Sequence, residues 1–227
     1  MDFFSNLQTD LQPGINRILK HPFLERIANA QLNPEQLKYF SGQYSIYCTY
    51  FPRFLAACAA AIPDDPTRMP IVKNLWEEHG SGEMASSHRV LFENFAVATG
   101  WKVEELKKVE PLSSTHICVE YLLNLCQEGH FLKSLGALGP GTESFTSQEY
   151  AVIAGGLAKY PKLSAEDIRF WTVHITLDED HYAEMVAPLQ HFTTNPDYAM
   201  YLTEGAKRAI DLEILFWDGL EEHLPGK

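Results

Sequence analysis

Apolar residues recur three and four positions apart along almost the whole chain, the spacing of helix faces, and the strict alternation of strands has little support. The breaks between these runs carry helix punctuation. Asn33-Pro34-Glu35-Gln36 supplies an N-cap, a proline at the first helical position and a glutamine at the third, which predicts a helix running to about Ile62. Pro63-Asp64-Asp65-Pro66 closes it. A helix is predicted over residues 67–79; Gly80-Ser81-Gly82 then bends the chain into another that ends before Gly100-Trp101. Residues 102–109 read as a short helix, and 114–127, 146–159, 164–189 and 196–223 as longer ones. The third of these longer helices is opened by Ser164-x-x-Asp167, a variant of the capping box. Gly136-Ala137-Leu138-Gly139-Pro140-Gly141 is too rich in glycine for regular helix, yet it leads directly to Glu143. No repeat, linker or low-complexity stretch divides the chain, which predicts a single all-α domain of packed antiparallel helices spanning residues 1–227.

One helix carries candidate chemistry. His174, Asp178 and His181 stand at i, i+4 and i+7, within an arc of roughly 60° on one helical face. Two imidazoles and a carboxylate form a mixed donor set that suits iron, manganese or zinc better than calcium or magnesium. A polar, solvated face is the competing explanation. The densest polar cluster elsewhere is Trp76-Glu77-Glu78-His79-Gly80-Ser81-Gly82-Glu83, followed by His88, which can add donors from a facing helix. Glu143 follows the glycine-rich break within an apolar stretch, where a carboxylate is costly to bury without a cation or hydrogen-bond donors. Tyr44, Tyr47, Phe51 and Phe54 share helical spacing and are candidates to line a cavity or to pack as plain core. Arg53 and Arg169 are candidates to hold a substrate carboxylate. His79, His116, His130, His191 and His223 have no spacing partner and read as surface or loop residues.

Composition narrows the partners. With 227 residues, 45% of them hydrophobic, the chain can bury a sizeable core. Eighteen basic against thirty acidic residues give a net charge of −12, which opposes binding to nucleic acid or to an anionic membrane. No apolar run is long enough to span a bilayer and the first residues lack a secretory plan, so the expected location is the cytoplasm. Cys48, Cys58, Cys118 and Cys126 show no C-x-x-C pairing and read as buried thiols.

Taken together, His21-Pro22-Phe23, Gln43-Tyr44-Ser45-Ile46-Tyr47, Phe51-Pro52-Arg53-Phe54-Leu55, the segment from Asn74 to His88, Glu143 and His174-x3-Asp178-x2-His181 resemble the haem-oxygenase-like dimetal oxidases and oxygenases. That family includes CADD-type 4-aminobenzoate synthases, alkene-forming fatty-acid decarboxylases and amino-acid N-oxygenases. The resemblance implies a haem-oxygenase-like helical bundle and a homodimer. It also implies two ferrous ions per chain, or manganese, on Glu78, His88, Glu143, His174, Asp178 and His181. Tyr47 is the catalytic side chain expected beside them, and dioxygen and a small amino-acid-like or carboxylic-acid substrate are the expected reactants. Two departures stand out. The Glu78-to-His88 spacing is long, which leaves Glu77 and Glu83 as alternative carboxylate ligands. Leu24 and Ile153 also stand where the CADD-type synthases use a tyrosine and a lysine. Metal-free thiaminase-like hydrolases, cofactorless quinone-forming oxidases, haem binding through His21 and a non-catalytic interaction protein are the alternatives on the same scaffold.

Overall fold

The structure is a computed structural model that describes the backbone of residues 3–128, 130–190 and 192–227, and the side chains of these residues except 128 and 176–180. Every α-helix named here lies within them, and no strand occurs among them. Helices α1 (Phe3–Leu19) and α2 (Pro22–Ala28) occupy the segment before Asn33. α1 buries Phe4, Leu7, Leu11, Ile15 and Ile18, one face of a helix repeating at three and four residues. The long α3 (Pro34–Ala61) opens on the complete capping box, with Asn33 Oδ1 accepting from Gln36 N at 3.0 Å and Asn33 N donating to Gln36 Oε1 at 3.0 Å. α4 (Asp65–Glu78) begins two residues earlier than the sequence predicts, because Asp64 caps it through the Thr67 amide at 3.0 Å. α5 (His88–Ala98), the short α6 (Val103–Leu106) and α7 (Ser113–Glu128) follow.

Two segments depart from the sequence expectation. Helix α8 (Phe131–Leu138) runs through Gly136, and a π-helical turn (Gly139–Glu143) then leads into α9 (Ser144–Leu157). The glycines serve packing: a Cβ on Gly136 would stand 2.1 Å from the Leu202 carbonyl oxygen, and one on Gly205 only 1.9 Å from that of Lys133. Backbone thus meets backbone where α8 crosses α11 (Pro196–Glu222). The other departure is at Ser164. Asp167 Oδ2 accepts from the Ser164 amide at 2.7 Å and Ser164 Oγ accepts from the Asp167 amide at 3.2 Å, so the box forms. It closes only a turn; α10 begins at Arg169 and ends at Val186.

Packed rings from α3, α5, α10 and α11 form the centre of the bundle. Phe40 stacks on Trp171 with centroids 5.8 Å apart, and Tyr44 stacks on Phe92 at 5.6 Å. Trp171, Trp217, Phe40 and Phe95 are fully buried, and truncating one such ring typically costs about 3–5 kcal/mol. Tyr44 belongs both to this cluster and to the wall of the cavity described next, so the core fixes one side of the chamber. Among the described residues no helix is long and apolar enough to cross a membrane.

Candidate metal centre

Glu78 is the last residue of α4 and His88 the first of α5, and the bend between them brings the two together despite their spacing. Gly80 sits at φ +73°, and a Cβ there would lie 2.7 Å from the Ser87 amide nitrogen, so this reversal has room only for glycine. Ser87 Oγ then caps α5 at the Val90 amide. In the result, His88 Nδ1 lies 2.8 Å from Glu78 Oε1, and His174 Nε2 of α10 lies 3.8 Å from the same oxygen. One ligand atom from each of Glu78, His88 and His174 falls within 4.8 Å of the others, and all three residues are buried. Ligands around one ion at roughly 2.1 Å stand about 3–3.5 Å apart, so modest adjustment closes this triad on a metal. His174 Nδ1 lies 2.6 Å from the Phe170 carbonyl oxygen and donates to it, which leaves Nε2 unprotonated and facing Glu78.

A second group lies beside the first. Glu143 ends the π-helical turn, held in place because a Cβ on Gly141 would meet the Ala206 oxygen of α11 at 2.8 Å. Glu143 Oε2 lies 3.8 Å from His181 Nδ1, and the other nitrogen of that ring, Nε2, lies 2.8 Å from Glu77 Oε2. A carboxylate on the far nitrogen is the usual orienting partner of a metal-binding imidazole. Glu77 and Glu78 therefore face different histidines, while Glu83 lies exposed on the bend. The Asp178 side chain lies outside the described residues.

The donors fit a cation on two counts. Glu143 and Glu78 are both buried: burial pushes the Glu143 carboxyl up to about 8, the Asn74 hydrogen bond lowers it and the nearby Glu78 charge raises it. Burial also pushes Glu78 up, but the charges and hydrogen bonds of His88 and His174 outweigh this and hold it below the usual carboxylate range. The second count is an orphaned atom. Asn74 Nδ2 donates to Glu143 Oε1 at 3.0 Å, whereas the buried Asn74 Oδ1 has no hydrogen-bond partner.

Glu78, His88, Glu143 and His174 line one wall of a pocket in the bundle. Tyr44, Tyr47, Phe51, Tyr150 and Phe170 supply its aromatic surface. Tyr44 donates to the Tyr150 hydroxyl at 2.8 Å, and the Tyr150 ring packs edge-on against His174 with centroids 5.3 Å apart. Phe54 touches Tyr47 but belongs to the core. Arg53 lies on a neighbouring cavity that shares Cys48 and Glu78 with this one, whereas Arg169 pairs with Glu166 at the exposed start of α10.

Sequence reasoning overlooked Glu149 and Glu213, which also line the chamber. The available signal was a lone carboxylate inside the apolar face of each helix. His79, His116, His130, His191 and His223 read from the sequence as surface or loop residues and His21 as a candidate haem ligand, and several of them stand at helix ends. His130 Nδ1 accepts from the Leu132 amide, while His79 and His223 Nδ1 face the Leu75 and Gly219 carbonyls. His21 caps α2 through the Phe23 amide and pairs with Asp218 at 3.1 Å, away from the chamber. His116 is exposed, and His191 lies outside the described residues.

With this geometry in view, the comparisons with known proteins define the class: residues 38–214 match the profile of the haem-oxygenase-like iron-containing redox enzymes, and the chain belongs to that family. It is 29% identical over 217 residues to a 4-aminobenzoate synthase of Nitrosomonas europaea, covering 91% of this chain and 86% of that one. It is 26% identical over 208 residues to a 4-chloro-allylglycine synthase of Streptantibioticus cattleyicolor, covering 91% and 79%. The fold superposes on a TenA homologue of Pseudomonas syringae with a TM-score of 0.79 at 15% identity, over 96% of this chain and 92% of that one.

Proposed function

We propose that the protein is a non-haem iron oxidase or oxygenase that uses dioxygen to transform a small amino-acid-like or carboxylic-acid substrate. The observation that carries this reading is the buried Glu78–His88–His174 triad facing a pocket with aromatic walls. In it, these three residues hold one ferrous ion, and Glu143 and His181, with Asp178, hold a second. Bound iron supplies the redox chemistry that no side chain provides. The chain does the rest. The Phe170 carbonyl and Glu77 orient the two α10 imidazoles, and the hydrogen-bonded Tyr44–Tyr150 pair forms part of the pocket wall. Burial and the surrounding carboxylates push the Tyr47 hydroxyl well above its usual range, so at neutral pH it stays protonated and acts as a hydrogen-bond donor to substrate.

The family membership supports iron over manganese. Leu24 and Ile153 are both fully buried in the core, which opposes a synthase that consumes its own tyrosine and lysine at those places. A cysteine hydrolase finds no support either: Cys48 is the thiol on the chamber wall, and burial pushes it well above its usual range, away from the thiolate form. The test is oxygen uptake by iron-loaded, manganese-loaded and metal-stripped protein against a panel of amino acids and carboxylic acids. Substrate-dependent uptake by the iron form alone supports the reading; turnover of the same substrate by stripped protein overturns it.

A further inference from the structure

The buried face of α4 runs Thr67, Ile71, Asn74 and Glu78, so Asn74 stands one turn before Glu78 and points the same way. Asn74 is only 1% exposed, and among the described residues its side chain makes a single hydrogen bond, from Nδ2 to Glu143 Oε1 at 3.0 Å. It ties down no backbone group and caps no helix. A primary amide inside a buried helix face costs helix propensity and desolvation, and the packing of α4 offers nothing in return. The return lies at Glu143.

That bond divides the two oxygens of the Glu143 carboxylate. Oε1 is taken by Asn74, and Oε2 is the oxygen 3.8 Å from His181 Nδ1. His181 Nε2 faces Glu77 Oε2 at 2.8 Å and donates to it, which leaves the Nδ1 lone pair beside Glu143 Oε2. The other end of the amide is a separate observation. The buried Asn74 Oδ1 has no hydrogen-bond partner. The oxygen and nitrogen of one amide are about 2.2 Å apart, so Oδ1 lies within about 5.2 Å of Glu143 Oε1. Glu78, Glu143 and the free nitrogen of His181 are acceptors when they bind a cation and give Oδ1 no proton. A buried acceptor left alone is costly, and water bound to a cation is a strong donor.

We infer that Asn74 is the positioning residue of the second metal site: Nδ2 holds Glu143 so that Oε2 alone reaches the ion, and Oδ1 accepts from a water that this ion carries. The inference rests on the proposed reading of Glu143 and His181 as ligands. Because Asn74 and Glu78 share one face of α4, a single helix places a ligand at the first site and the clamp of the second. A carboxylate already fixed by one oxygen has less rotamer freedom to lose when the ion arrives, and that is the gain in affinity Asn74 provides.

The test is anaerobic calorimetric titration of metal-stripped protein with ferrous iron, in the parent, Asn74→Ala and Asn74→Leu, with folding checked by circular dichroism. The parent is expected to bind two ions. Each variant keeps the first with parental affinity and binds the second about 10–100-fold more weakly. Asn74→Ala adds no further loss to Glu143→Gln, since the amide acts through that carboxylate. A merely structural asparagine would lower the stability of metal-free protein and leave both affinities unchanged. A parental second affinity in a folded variant, a loss confined to the first ion, or a further loss on the Glu143→Gln background overturns the inference. The unaltered chain gives a second readout if neither variant folds. Infrared difference spectra on iron binding should show the widely split carboxylate stretches of one-oxygen coordination, absent in Glu143→Gln; the narrow splitting of two-oxygen coordination overturns the inference. A parent that binds one ion overturns it and leaves the Glu78–His88–His174 site standing, whereas a parent that binds none strikes the metal reading itself.

Discussion

Gly155 and Gly156 are neighbours in α9, the helix that carries Glu149 and Tyr150 to the chamber, and alanine at the two positions should change stability in opposite directions. A Cβ on Gly155 has nothing within 4 Å, while one on Gly156 would stand 2.2 Å from the Ile27 oxygen and 2.8 Å from the Ala28 Cα. Ordinary carbon–oxygen contact is about 3.3 Å, so α2 and α9 must part by roughly 1 Å to admit Gly156→Ala. The obstacle is backbone, which has no rotamer to yield. Because the obstacle is backbone, overpacking here falls at the upper end of the usual range, about 2–3 kcal/mol, and the better helix propensity of alanine returns about 1 kcal/mol of it, a net loss of about 1–2 kcal/mol. Gly155→Ala collects the propensity gain alone, about 0.5–1 kcal/mol. At about 2–4 °C per kcal/mol for a chain of this size, thermal unfolding followed by circular dichroism should place Gly155→Ala about 1–4 °C above the parent and Gly156→Ala about 2–8 °C below it. Shifts of the same sign, or an unshifted Gly156→Ala, would refute the close approach of α2 and α9.

The remaining predictions follow from the same reasoning. Glu213 has a carboxyl pushed up to about 7 from 4.5, so it destabilises the fold increasingly as pH rises from about 4.5 through 7 and not at all below that window. Glu213→Gln should therefore gain stability relative to the parent as pH rises across that range, by up to about 3 kcal/mol; urea unfolding at pH 5 and pH 8 measures it, and a pH-independent difference would contradict the assignment. Asn33→Ala removes one arm of the capping box of α3 and should cost about 1 kcal/mol, or about 2–4 °C, with Ser164→Ala costing less because its box closes only an exposed turn. Tyr47→Phe should keep full iron binding and lower substrate turnover; loss of iron instead would place its hydroxyl among the ligands.

Much of the architecture is legible in the sequence because it is written in local signals. Asn33 to Gln36 sets the start of α3, and the His174 to His181 spacing marks a single polar face of α10. What the sequence hides is tertiary. Gly136 looks like a helix breaker until α11 is laid against it with the Leu202 carbonyl where a side chain would be. The same Ser-x-x-Asp pattern that opens helices elsewhere closes a turn at Ser164, since the intervening residues do not continue helically. Glu77 and Glu78 are indistinguishable by spacing. Only the placement of α5 and α10 shows one facing His88 and His174 and the other facing His181. Glu149 and Glu213 are 64 positions apart in the chain, and no local pattern joins them before α9 and α11 face the same chamber.

The most direct test of the account is an anaerobic titration of metal-stripped protein with ferrous iron, counting bound ions in the parent and in a variant carrying Glu78→Gln, His88→Ala and His174→Ala. The account predicts about two ions per chain in the parent and loss of at least one in the variant, with both proteins folded by circular dichroism. Equal iron content in parent and variant, or none in either, would contradict it.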